Sequence, residues 1–140
     1  MPEPGSSNKG VLLDTSILIE LLRSNGRVQA GLNSLIDSGY SVATATACVA
    51  ELYGGLRAGE ESVTAQLLAT LECLDLTYAI AKRAGDLKTS RSKIGRTHSI
   101  VDMMIAATAQ ELGYVVATEN LRDFEIPGLE VVDLTETREA

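Results

Sequence analysis

Short apolar runs alternate with longer helical patterns along this chain, and that alternation most narrows what it can fold into. The runs VLL (11–13), SVAT (41–44), LECLDL (71–76), YVVAT (114–118) and LEVVDL (129–134) have the dense apolar character of strands covered on both faces. Between them, helical patterns are predicted over 15–23, 27–38, 46–58, 60–70, 78–93 and 99–112. Strands separated by helices imply right-handed crossovers and a mostly parallel sheet with helices on both sides. Ligands of such sheets bind beyond the carboxyl ends of the strands, where the strand order reverses. A functional acid is therefore expected just after a strand or at the start of a helix.

The 140 residues are expected to form one domain over 10–135, with a mobile tail at 1–9 and a short tail at 136–140. Hydrophobic content of 45% with 22% charged residues excludes wholesale disorder. No apolar run approaches the roughly 20 residues that span a bilayer. The opening MPEPGSSNKG is polar and not basic, unlike a secretory signal. Cys48 and Cys73 lie among apolar neighbours, which suggests reduced, buried thiols and a cytoplasmic protein. A catalytic thiol is disfavoured, because the single histidine, His98, would have to serve as its base.

Four regions carry acids in apolar company. Asp14 follows VLL at once, so it stands at the carboxyl end of the first strand and can cap the helix starting at Thr15. Glu51, in TATACVAELYGGL, shares a helical stripe with Ala47, Gly55 and Ala58, a setting expected to leave it little water. Asp102 begins an apolar helix, SIVDMMIAATA, and its spacing from Ser99 is that of a capping box. In VVATENLRDFEIPGL, Thr118, Glu119 and Asn120 follow the fourth strand, with Asp123 one turn later. Each acid alone has an ordinary structural explanation. Three carboxylates converging without a counter-charge would repel one another, and their pKa values would rise. A hard divalent cation removes that difficulty, and Mg²⁺ is typically held by one or two carboxylates plus waters and phosphates. No Cys/His spacing supports a structural zinc site.

The net charge of −7 argues against a polyanionic partner, but the charge is unevenly placed. Lys82, Arg83, Lys88, Arg91, Lys93 and Arg96 are half of the chain's 12 Lys and Arg residues, with Asp86 the one acid between them. An acidic chain can still offer a polyanion one basic face.

At these residues the chain resembles the PIN domain, and within it the VapC-type ribonuclease toxins of type II toxin–antitoxin systems. The resemblance rests on LLDTSILIE, VAELYGGLRAG, SIVDMMIAATAQELG and VVATENLRDFEIPGLEVVD, in that order and spacing, and covers roughly residues 10 to 135. It implies a three-layer α/β/α sandwich and a metal-dependent endoribonuclease acting on structured or translational RNA. It also implies a VapB-type antitoxin over the active site, and a homodimer. Asp14, Glu51 and Asp102 would be the catalytic, metal-binding acids, with Mn²⁺ a substitute for Mg²⁺. Many members carry an Asp where Asn120 stands here, so Asn120 or Asp123 would complete the site. Ser16 and Thr118 would be supporting hydroxyls.

The chemistry of the residues agrees with that implication. Cations held by the acids would lower the pKa of a water in line with the scissile phosphorus. In a helical register Ile80, Leu87 and Ile94 define the buried stripe of 78–93. Arg91 falls almost on that stripe and is expected to reach toward the site, while Lys93 and Arg96 hold RNA at its rim. The bland alternative is a solvated basic face. His98 is expected to be an exposed loop residue or an RNA contact. A receiver domain, which wants adjacent acids after its first strand and an Asp after a later one, fits poorly, as does a haloacid-dehalogenase-type phosphatase, which wants a second acid where Ser16 stands. A PIN-like module that only binds RNA or protein is the other alternative, kept open by Asn120.

Overall fold

β1 (Gly10–Leu13) forms the centre of the sheet, and every residue in it is buried. The structure, a computed structural model, describes residues 9–135. After β1 come α1 (Thr15–Leu22), α2 (Gly26–Asp37), β2 (Ser41–Ala45), α3 (Thr46–Gly54), α4 (Glu61–Ala69) and β3 (Glu72–Leu74). Then follow α5 (Tyr78–Lys93), α6 (Ile100–Leu112), β4 (Tyr114–Ala117), a 3-10 turn (Leu121–Phe124) and β5 (Val131–Val132). The five strands are all parallel, in the order β3-β2-β1-β4-β5. This is the expected parallel sheet flanked by helices, with shorter edge strands than the apolar runs at 71–76 and 129–134 suggested.

The topology places the site. From β1 the chain winds outward through β2 to β3, then returns across the sheet to add β4 and β5 on the other side. With right-handed crossovers, the reversal of direction puts α1–α4 on one face and α5–α6 on the other. α5 accordingly packs chiefly on α6, and α1 touches α2, α3 and α4. The order reverses at β1, which pairs with β2 on one side and β4 on the other. Leu13 is in register with both Thr44 and Ala117, so Asp14 and Thr118 leave neighbouring strand ends together.

Local chemistry explains where the helices begin. Asp14, Asn25, Thr77 and Ser99 each sit in extended backbone and accept an N–H of the following first turn, capping α1, α2, α5 and α6. Gly113 stops α6 in the left-handed conformation (φ 75°), and β4 starts at the next residue. Val11, Leu12, Leu13, Leu18, Met103 and Val116 are wholly buried around the sheet. Burying each such side chain is worth roughly 1.5–3 kcal/mol.

Several expectations need correction. Lys9, the last residue of the expected tail, lies just before β1, and its carbonyl accepts the Ser41 N–H at 2.9 Å. The rest of the expected tails, 1–8 and 136–140, lies outside the described residues. α3 ends at Gly54, so Ala58 is not on its stripe. α5 ends at Lys93, and Ile94, expected on the buried stripe, is 66% exposed. Cys73 is exposed because β3 is an edge strand, whereas Cys48 is buried as expected. Among the described residues no helix is long and apolar enough to cross a membrane.

Candidate active site

Asp14 is 4% exposed, and its carboxylate is held from both sides. Oδ1 accepts the Ser16 hydroxyl at 2.6 Å and the Ile17 N–H at 3.1 Å, and Oδ2 accepts the Thr118 hydroxyl at 2.5 Å. Both hydroxyls are fixed in turn by backbone from the segment after β4. Glu119 N–H donates to Ser16 Oγ at 3.0 Å, and Asn120 N–H donates to Thr118 Oγ1 at 2.9 Å. Asp14 N–H itself donates to the Ala117 carbonyl at 3.0 Å, extending the β1–β4 ladder by one residue. Burial raises the Asp14 pKa, and the bonds from Ser16, Thr118 and Ile17 offset part of that rise. A carboxylate offers roughly four acceptor sites. The described residues fill three with these bonds, two on Oδ1 and one on Oδ2.

Asp102 lies in the first turn of α6, where its N–H donates to Ser99 Oγ at 3.0 Å. The reciprocal arm of a capping box, from the Ser99 N–H to the Asp102 carboxylate, is not formed among the described residues. Its pKa is pushed up to about 6, first by burial and then by the charges of Asp123, Glu51 and Asp14, with Ser99 opposing the rise.

Glu51 departs from expectation, for it is exposed. With α3 ending one turn later, its side chain stands at a rim rather than between helices. Thr15 Oγ1 holds it, donating to Oε1 at 2.7 Å. Thr15 was missed from the sequence, although a hydroxyl beside Asp14 in the first turn of α1 is a visible signal. Asn120 and Asp123 are both exposed. Asp123 is the one whose charge acts on Asp102, whereas the Asn120 side chain makes no hydrogen bond among the described residues.

None of the four ion pairs among the described residues involves Asp14, Glu51, Asp102 or Asp123. Nor do three Asp, Glu, His or Cys side chains there close into a ready metal cage. Uncompensated carboxylates suit a hard cation with few protein ligands and several waters, which is how Mg²⁺ binds. They do not suit a closed structural site.

The basic segment is organised differently from expectation. Arg91 turns to the chain after the 3-10 turn and donates to the Glu125 carbonyl at 2.8 Å. Arg96 approaches the Glu125 carboxylate at 3.6 Å. Lys88 donates to the His98 carbonyl at 2.7 Å, and His98, expected to be exposed, is 8% exposed. Lys93 is exposed and makes no ion pair among the described residues. Arg91 and Lys88 thus brace the segment just after the 3-10 turn of Asp123 and the segment just before the helix of Asp102.

A PIN domain profile matches residues 11–128. With an all-parallel sheet and acids at its switch point, the chain belongs to the PIN domain family. The ribonuclease VapC10 of Mycobacterium tuberculosis is 34% identical over 118 residues, covering 81% of this chain and 85% of its own. The ribonuclease VapC1 of Rickettsia felis is 34% identical over 139 residues, covering 90% of this chain and 97% of its own. These similarities place the chain in the VapC group of that family. Among solved structures, DNA-bound VapBC from Salmonella typhimurium matches with a TM-score of 0.76 at 29% identity, covering 90% of this chain and 98% of that one.

Proposed function

We propose that the chain is a Mg²⁺-dependent endoribonuclease toxin of the cytoplasm, held inactive by a cognate VapB-type antitoxin. The observation that carries this reading is that Asp14, Glu51 and Asp123 bear electrostatically on Asp102 while none of the four has an ion pair among the described residues, with Asp14 at the sheet's switch point. The relatives' names, ribonucleases, and the VapBC complex among the structural neighbours support the activity and the partner. Nearly half-exposed Ile36 on α2 and Val63 on α4 offer apolar surface for a homodimer.

Asp14, Asp102 and Glu51 would hold the cation, with Asp123 favoured over Asn120 as the fourth group because its charge already bears on Asp102. Bound there, Mg²⁺ or Mn²⁺ supplies a lowered pKa for water and neutralises charge developing on the scissile phosphate. Ser16 and Thr118 hold Asp14 in one orientation, and Thr15 does the same for Glu51. Water oxygen would bond to phosphorus as the bond from phosphorus to the 3′ oxygen breaks, the water's proton passing to solvent and the departing 3′ oxygen taking one up, so the products carry a 5′-phosphate and a 3′-hydroxyl. Lys93, which makes no ion pair among the described residues, would meet the RNA backbone, with Arg91 and Arg96 shaping the rim. End analysis of the products tests the mechanism. A 2′,3′-cyclic phosphate would show that the ribose hydroxyl, not water, is the nucleophile.

A further inference from the structure

Glu51 belongs to the acid group on one side and lines a hollow of about 150 Å³ on the other. Leu22 of α1 and Leu52 of α3, with Leu56 beyond it, give that hollow an apolar floor. Arg23, Arg57, Glu51 and Glu60 also line it, two guanidiniums and two carboxylates. Glu60 is engaged with backbone, its Oε1 accepting the Arg57 N–H at 2.7 Å, which closes the turn after α3. The Arg57 guanidinium makes no hydrogen bond or ion pair among the described residues, while Arg23 pairs with Glu20 at 3.3 Å.

With Arg23 paired to Glu20, Glu60 held by backbone and Glu51 turned to the acid group, Arg57 is the guanidinium left for an occupant among the described residues, fewer cations than a phosphate would want. One planar donor fork beside an apolar lining suits an uncharged planar group with a hydrogen-bonding edge. The hollow adjoins the acids through Glu51, so its occupant is a neighbour of the reacting phosphate. We propose that it is the subsite for one nucleobase flanking the cleaved bond, with Arg57 as a specificity-determining residue. The inference rests on the ribonuclease reading above. Arg57 presents its planar fork to the base edge, the floor takes the base face, and the polar lining rejects bases whose donors and acceptors are misplaced.

The test sequences the ends cut from a randomised RNA pool by the wild-type chain, Arg57→Ala and Arg57→Lys. The wild type is expected to favour one base at one position flanking the cut by roughly fivefold or more, the low end for a hydrogen-bonded base contact. Both variants are expected to cut with that preference largely gone, because lysine keeps the charge and loses the fork. A wild type without base preference, or an unchanged preference in Arg57→Lys, would overturn the subsite while leaving the nuclease reading standing. A wild type that leaves both the pool and structured or translational RNAs intact would overturn both. The same pool retained by metal-free Asp102→Asn on filters, with and without Arg57→Ala, gives a readout independent of cleavage. Equal base enrichment in the two would overturn the subsite.

Discussion

Thr118 donates its hydroxyl to Asp14 Oδ2 at 2.5 Å, joining the residue after β4 to the residue after β1. The hydroxyl also accepts the Asn120 N–H, so one oxygen orients the acid and fixes the loop beyond β4. Thr118→Val keeps the shape and removes both bonds. It is expected to cost about 1–3 kcal/mol, the range for leaving buried polar groups without partners. Thr118→Ser should recover most of that loss. Urea unfolding of the three proteins checks it, and equal stability of the valine variant would contradict the arrangement.

The raised pKa values of Asp102 and Asp14 set the pH dependence of the metal-free protein. A carboxyl whose folded pKa lies above its unfolded value binds more protons when folded, so stability falls as pH rises. For Asp102 the fall runs from about 4 to about 6. The full shift would amount to about 3 kcal/mol, but the group is half solvated, and roughly 1–2 kcal/mol is the realistic size. Asp102→Asn should therefore flatten the profile and match or exceed wild-type stability at neutral pH in EDTA. A large loss of stability in that variant would instead make Asp102 a structural cap.

Gly31 on α2 faces the backbone of Leu134, and a Cβ there would collide with the Leu134 carbonyl oxygen. Gly31→Ala is expected to destabilise by about 1–3 kcal/mol through overpacking, although alanine favours helix elsewhere. Thermal unfolding tests this, and a stabilised variant would show that residues beyond β5 do not pack on α2.

The two cysteines should differ in reactivity. Burial raises the Cys48 thiol to about 11 and encloses it, whereas Cys73 is exposed on the edge strand. A disulfide reagent should titrate one thiol in the folded protein and two after denaturation. Two fast thiols in the folded state would contradict the packing around α3.

The sheet was legible in the sequence because parallel strands buried on both faces read as unbroken apolar runs. Asp14 and Asp102 were legible because each interrupts such a run at an element boundary. Features fixed by distant packing were not. Glu51 was expected to be dry on a stripe that the end of α3 cuts short. Arg91 was assigned a direction from helical register alone, but its partner Glu125 lies 34 residues away. His98 is buried by the packing around the turn between α5 and α6, which no local pattern encodes. Cys73 has apolar neighbours in sequence, and only the strand order reveals that β3 is an edge.

The most direct measurement is cleavage of RNA by the purified chain with Mg²⁺, with EDTA, and as Asp102→Asn. Cleavage with Mg²⁺ is expected, along with its loss in EDTA, its return on adding Mg²⁺ or Mn²⁺, and its absence in the folded Asp102→Asn variant. Cleavage that persists in EDTA or in Asp102→Asn would contradict a metal-dependent nuclease built on these acids.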